Sequence, residues 1–174
     1  EVLAGNGTET IHREHGCLFK LDVSEIMWAK GNVYERRRVC NLVKEGETVV
    51  DMFAGIGYFC IPIAVHSEPN LVYAIEINPR AFSYLLENIR LNKVEKRIKP
   101  INEDCRIVSF RLRNVADRVI MGYIKKTENF LPFGLMFLKK RGIIHFHNTY
   151  SKEELWDKPI ETVERIGMEF GYSC

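Results

Sequence analysis

Apolar residues along this chain follow two alternating rhythms. Five short segments rich in apolar and β-branched residues recur, "ETVVDMF" at 47–53, "LVYAIEI" at 71–77, "RIKPIN" at 97–102, "DRVIMGY" at 117–123 and "GIIHFHN" at 142–148. Segments of this length and make-up, bounded by turn residues, predict buried strands. Helical periods fall between them. Asn78 can cap a helix whose first turn holds Pro79, and Phe82, Leu85, Leu86 and Ile89 then keep the i, i+3, i+4, i+7 spacing of one helix face. Further helices are expected over 32–43, 58–66, 128–140 and 158–170, with Pro132 either in the first turn of its helix or kinking it. Ahead of these, "CLFKLDV" at 17–23 alternates weakly and predicts a strand. Residues 1–16 are polar and glycine-containing and read as a flexible lead-in or linker. Strands alternating with helices specify an α/β fold with a doubly wound, mainly parallel sheet. The expected division is an N-terminal segment, 1–46, and a main domain, 47–174.

Composition narrows this only slightly. The 174 residues are 46% hydrophobic and 28% charged, enough for one α/β domain with a modest appendage. A net charge of +2 carries no polyanion signal, so any nucleic-acid argument rests on local clusters. Those are Arg36–Arg38, Arg111–Arg113, Lys125–Lys126 and Lys139–Arg141, and Lys125 and Lys126, directly after a strand, have the best claim to a phosphate backbone. Five scattered cysteines (17, 40, 60, 105 and 174) without a CxxC pair read as reduced thiols in a cytoplasmic protein. No apolar run approaches the roughly 18–20 residues that cross a bilayer, so no membrane partner is expected. The start at Glu1 rather than Met suggests a piece of a longer chain.

Candidate chemistry centres on "VVDMFAGIGYF", Val49–Phe59. Gly55 and Gly57 follow a strand and precede a helix, where glycines let a backbone approach a ligand closely. Glu76 ends the next strand, the position from which an acid accepts hydrogen bonds from ribose hydroxyls. A dinucleotide site would want a third glycine at position 60, which is Cys60, and Tyr58 and Phe59 crowd the helix N-terminus that a pyrophosphate needs. Adenosine without phosphates fits better, and S-adenosylmethionine is the expected cofactor. In "NEDC", 102–105, Asp104 could accept from the adenine amino group with Glu103 beside it, although in isolation the pair reads as a solvated acidic turn. His145 and His147 share a strand face, which raises metal binding, but with no third ligand they read as structural. Tyr123, at a strand end, could stack on a flipped base, whereas Phe146 points the other way, into the core.

Four stretches, "FKLDVSEIMWAKGNVYERRRV", "DMFAGIGYF", "AIEINPRAFSYLLENIRLN" and "DRVIMGY", together resemble the archaeal and eukaryotic enzymes acting on position 37 of tRNA. Two sister groups share that architecture, the tRNA guanosine-37 N1-methyltransferases and the wybutosine-synthesis aminocarboxypropyltransferases. The resemblance covers about residues 10–170. It implies a Rossmann-like methyltransferase sheet with a small N-terminal strand/helix extension. Gly31, after Ala29 and Lys30, stands where the methyltransferases usually carry Arg, and Gly122 stands in place of the Asn of their fourth-strand motif. Both departures favour the aminocarboxypropyltransferase, with the methyltransferase as the alternative and a non-catalytic tRNA-binding module as a third class, disfavoured by the intact Gly55, Gly57 and Glu76 set.

The implied reaction transfers the 3-amino-3-carboxypropyl group of S-adenosylmethionine to 4-demethylwyosine in the anticodon loop of tRNA(Phe), by a monomer. The resemblance also implies roles. Arg36 would clamp the cofactor carboxylate through its guanidinium fork. Glu35 would pair with the ammonium or accept a proton, and Ala29 would contribute only backbone. Phe53, Ile77, Cys105 and Gly122 complete the expected cofactor set, with Glu35 and Tyr123 as the catalytic pair. No metal is expected. Position 36 read from spacing alone would belong to a solvated charged helix face.

Overall fold

The computed structural model describes residues 7–124 and 126–172. Seven strands are present among them. β1 (Glu9–Glu14) and β2 (Cys17–Asp22) form an antiparallel hairpin. β3 (Thr48–Asp51), β4 (Leu71–Ile75), β5 (Ile98–Ile101), β6 (Ala116–Met121) and β7 (Leu138–Phe146) form a parallel sheet in the order β5-β4-β3-β6-β7. Six α-helices accompany them: α1 (Val33–Leu42), α2 (Cys60–His66), α3 (Pro79–Leu91), α4 (Cys105–Arg111), α5 (Leu131–Phe137) and α6 (Asp157–Glu169). The chain runs outward from β3 to β5, then crosses to β6 on the other side of β3. That reversal opens a crevice beyond the C-terminal ends of β3 and β6, where open α/β sheets bind ligands.

The flexible lead-in expected over 1–16 is corrected for residues 9–14, which are strand β1. His15 and Gly16 join the hairpin with φ of 46° and 78°. Two consecutive left-handed residues are what a tight two-residue hairpin turn requires. Residues 1–6 lie outside the described residues. The hairpin is fastened to α3 by two asparagines one helical turn apart. Asn88 Oδ1 accepts from Lys20 N at 2.6 Å and its Nδ2 donates to Lys20 O at 3.1 Å. Asn92 does the same to Leu18, at 2.8 and 2.7 Å. Each side-chain amide thus plays the part of a neighbouring strand. Cys17, Phe19 and Leu21 join Val49, Ile61, Leu85 and Ile89 in one core on this face of the sheet, so the packing runs unbroken across position 46. A second core on the opposite face holds Val50, Met52, Ile75, Val108, Leu135 and Phe137.

Other departures are local. α4 was not anticipated; Asp104 caps it by accepting from Arg106 N at 2.9 Å. The helix expected over 128–140 is shorter, because a 3-10 turn occupies Thr127–Phe130 and β7 begins at Leu138. β7 then bulges, the step from Ala116 to Arg118 on β6 being matched by a step from Leu138 to Ile143. Arg141 takes a φ of 68° within that bulge. Arg97, just before β5, and Ile101 at its end present their carbonyls to Val72 N and Glu76 N on the β4 side, so Pro100, one position off, faces outward. An outer strand is where a residue without an N–H is tolerated.

Candidate active site

The loop after β3 is shaped from within. Gly55 and Gly57 have φ of 57° and 107°. A Cβ on Gly55 would meet the Tyr58 ring at 2.5 Å, and one on Gly57 would meet Ile61 Cδ1 at 2.3 Å. Both glycines are therefore demanded by backbone conformation and by internal packing. Tyr58 lies over the loop and donates its hydroxyl to Met27 O at 2.5 Å, tying the loop to the segment before α1.

Glu76, just beyond β4, is held by backbone donors on both sides. Gly55 N reaches its Oε2 at 2.8 Å and Asn78 N its Oε1 at 2.7 Å. A carboxylate has about four lone-pair sites, so each oxygen keeps one for a hydroxyl of a ligand. In front of it lies a cavity of about 390 Å³. Seven of the candidate cofactor and catalytic residues line it: Phe53, Glu76, Ile77, Glu103, Asp104, Cys105 and Tyr123. Asp104 also pairs with the Arg106 side chain, whose hydrogen bonds hold its carboxyl below the usual range. Glu103 pairs with Arg111. Lys126, singled out as a phosphate contact, lines it too, and Met52, Arg106, Asn129 and Phe130, which were not anticipated, complete the lining. Phe130 stands in a stretch whose apolar pattern pointed only to a helix. Its ring meets Phe53 edge-on at 5.1 Å, while Tyr123 stacks on Phe53 at 5.2 Å and 27°. Only Arg106 had a usable signal, its place two residues after a capping acid.

Two assignments are corrected. Arg36 is buried, with Nε and Nη2 both at 2.7 Å from the Glu14 carboxylate and Nη1 donating to Ala29 O at 3.2 Å. Its guanidinium also lies over the Trp28 ring at 4.9 Å. The fork expected to hold a cofactor carboxylate is engaged inside the protein, and Ala29 contributes its carbonyl to that engagement. Glu35 likewise is not on the cavity. It accepts from Arg38 Nε and Nη2 at 2.7 Å each and from His147 Nε2 at 2.8 Å. Hydrogen bonding to Arg38 chiefly, with that to His147, lowers its carboxyl to about 2, which makes it a weak base. The neighbouring basic positions divide similarly. Lys139 pairs with Asp117, while Lys126 reaches the cavity and Lys125 lies outside the described residues.

The two histidines do not share a ligand. His145 is buried and its Nε2 lies 2.7 Å from Arg118 Nη1. Burial first, then Arg118, lowers its pKa to about 4, so it is neutral and accepts from the guanidinium. Arg118 in turn is bound by Glu47 at 2.8 and 3.0 Å and by Leu42 O at 2.8 Å. Among the described residues no three His, Cys, Asp or Glu side chains are grouped to hold a metal. No helix among them is long and apolar enough to cross a membrane.

Residues 10–174 match the model of the TRM5/TYW2 methyltransferase domain. The chain belongs to the TRM5/TYW2 family. Within it, the tRNA(Phe) (4-demethylwyosine(37)-C(7)) aminocarboxypropyltransferase of Methanocaldococcus jannaschii is 54% identical over 172 residues, covering 99% of this chain and 68% of that protein. The crystal structure of the M. jannaschii TYW2 in complex with AdoMet superposes with a TM-score of 0.95 at 53% identity, over 99% of this chain and 78% of that one. The tRNA (guanine(37)-N(1))-methyltransferase Trm5b of Pyrococcus abyssi is 39% identical over 98% of this chain, which spans 49% of its length. This TRM5/TYW2 chain thus covers about two thirds of one curated relative and half of the other.

Proposed function

We propose that this TRM5/TYW2 domain is the catalytic part of an S-adenosylmethionine-dependent tRNA 4-demethylwyosine aminocarboxypropyltransferase. Its target would be the modified guanosine at position 37, in the anticodon loop of tRNA(Phe), and the protein would act as a monomer in the cytoplasm. The observation that carries the reading is the cavity at the β3/β6 crevice, with Glu76 fixed by two backbone donors at one side and Asp104 at the other. Its size suits a nucleoside, and the greater identity to the aminocarboxypropyltransferase than to the methyltransferase supports the choice of chemistry.

Each residue then has a task. Glu76 accepts from the two ribose hydroxyls with its remaining lone pairs. Asp104, with Glu103 beside it, accepts from the adenine amino group, while Phe53, Ile77 and Cys105 flank the ring. Gly55, Gly57 and Gly122 keep the crevice floor narrow, and Tyr123 offers its exposed ring to the acceptor base. Lys126 is placed for a backbone phosphate at the cavity mouth. S-adenosylmethionine supplies an electrophilic carbon on a sulfonium. The acceptor carbon bonds to the methionine γ-carbon, the γ-carbon–sulfur bond breaks with its electron pair going to sulfur, methylthioadenosine leaves, and the acceptor carbon loses its proton. Holding acceptor and donor in line is the protein's main contribution, since alignment of this kind is worth several orders of magnitude in rate.

The test is parallel incubation of tRNA with methyl-labelled and with carboxyl-labelled S-adenosylmethionine. Carboxyl label in the tRNA is expected. Methyl label alone would reassign the domain to N1-methylation.

A further inference from the structure

Helix α1 carries three consecutive arginines, and the fold divides them. Arg36 is buried on Glu14, and Arg38 gives two bonds to Glu35. Arg37 is exposed, and its guanidinium has no ion-pair or hydrogen-bond partner among the described residues. It lines a second cavity, of about 320 Å³, which shares no lining residue with the crevice cavity. Helix α1 gives this cavity Arg37, Cys40 and Asn41, α2 gives it Pro62 and His66, and the hairpin turn gives it His15. No acidic side chain among the described residues lines it. Glu14, next to His15 in the chain, is already occupied by the Arg36 fork.

The walls of this cavity are tied together. His66 donates its Nε2 hydrogen to His15 O at 2.6 Å, which joins the end of α2 to the hairpin turn. Cys40 Sγ donates to Pro62 O at 3.3 Å, which joins α1 to α2. Burial keeps the Cys40 thiol above its usual range, so it adds no negative charge. The carbonyls at a helix C-terminus repel anions, but here several are engaged. Pro62 O takes the Cys40 thiol, and Ala64 O and Ser67 O take Arg97 at 2.9 and 3.1 Å. What the cavity offers to solvent is the Arg37 guanidinium, the Asn41 amide and the His15 imidazole, all on exposed residues. A guanidinium fork matches two oxygens of a phosphate, and amide and imidazole N–H groups add single donors.

Position in the fold identifies the source of the phosphate. Glu35, in the first turn of α1, meets His147 just beyond β7, at the crevice end of the sheet. Tyr34, Arg37 and Asn41 then form an exposed stripe leading away from the crevice along one face of the helix. From Glu35 to Asn41 the helix rises about 9 Å, close to the rise of three nucleotides of one strand at roughly 3.4 Å each. This step rests on the proposed function, which brings the acceptor guanosine of a tRNA to the crevice. We propose that the cavity between α1, α2 and the hairpin turn is a phosphate site for the tRNA backbone, a few nucleotides from the modified guanosine, with Arg37 as its charge and Asn41 and His15 as flanking donors. Such a site touches backbone and no base edge, so it adds affinity and register and leaves sequence choice to the crevice.

The experiment is titration with tRNA(Phe) at several salt concentrations, for the parent, Arg37→Ala and Lys96→Ala. Lys96, exposed in the turn before β5, removes the same charge outside the cavity. When the logarithm of the association constant is plotted against that of salt, one lost phosphate contact reduces the slope by about 0.9. Arg37→Ala should show that reduction with severalfold weaker tRNA binding, and Lys96→Ala should keep the parent's slope. The dissociation constant of methylthioadenosine, and transfer at saturating tRNA, should stay near the parent's in both variants. Equal slopes in the parent and Arg37→Ala overturn this inference alone. Inorganic phosphate that binds the parent but not Arg37→Ala in calorimetry, with the tRNA slope unchanged, assigns the cavity to a free anion and overturns it too. A parent with no affinity for tRNA(Phe) overturns the function on which the inference rests, and the inference with it.

Discussion

Two residues of opposite accessibility show how far a side chain's partners decide its role. Glu76 keeps lone pairs free toward the cavity while Gly55 N and Asn78 N fix its orientation. Glu76→Ala should weaken S-adenosylmethionine and methylthioadenosine by similar factors, because both carry the ribose. Two hydrogen bonds to a charged group correspond to about 3–6 kcal/mol in calorimetric titrations, and unchanged affinity would remove Glu76 from the ribose. Arg36 predicts the reverse pattern. With its fork on Glu14, Arg36→Ala should leave the affinity ratio of the two ligands unchanged and act on stability instead. Stranding the buried Glu14 carboxylate costs about 3–5 kcal/mol by the usual behaviour of broken buried pairs, measurable by urea unfolding; a selective loss of S-adenosylmethionine affinity would restore the clamp. The sequence could point to Glu76 because its role follows from a strand end. It could not exclude Arg36, since Glu14 is 22 positions away on a strand that the polar, glycine-containing start concealed.

At the scale of elements, the hairpin is the informative case. β1 pairs with β2, which packs Cys17, Phe19 and Leu21 into the core and is fastened to α3 through Asn88 and Asn92. Asn88 also donates to Ile56 O at 3.0 Å, so one amide joins hairpin, helix and cofactor loop. Asn88→Ala should therefore lower stability more than Asn92→Ala, by about 2–4 kcal/mol in chemical denaturation given several buried groups left unpaired. It should also weaken ligand binding at Glu76, which the Asn92 variant should not. Equal effects of the two would show that the link to Ile56 is idle. The parallel strands were legible because their apolar runs are buried on both faces, and α3 because its cap and periodicity agree. Strand β1 and α4 were not. β1 is mostly exposed and carries no apolar alternation, and α4 is too short for its period to register. Likewise seven cavity residues could be named from strand ends, while Phe130 is brought in by a 3-10 turn that no pattern announces.

Across the whole molecule, two buried groups pull stability in opposite directions with pH. His145 has its pKa lowered to about 4, by burial first, so the unfolded chain binds the extra proton and stability falls as pH drops from about 6.5 toward 4. Asp51, fully buried with no partner for Oδ2 among the described residues, has its pKa raised to about 7, again by burial first. Here the folded chain binds the extra proton, so stability falls as pH rises from about 3.8 to 7. The slopes oppose each other between about 4 and 6.5, and the parent should melt at a nearly constant temperature there. Asp51→Asn removes one of them. Its melting temperature should climb with pH relative to the parent, levelling above pH 7, and parallel curves would show that Asp51 does not titrate in that range. One margin of the sheet carries a different consequence. Pro100 turns outward on β5 and has no hydrogen to offer an arriving strand. Sheets of separate molecules that meet along this border find a gap in the ladder, so the border resists the edge-to-edge stacking that begins aggregation.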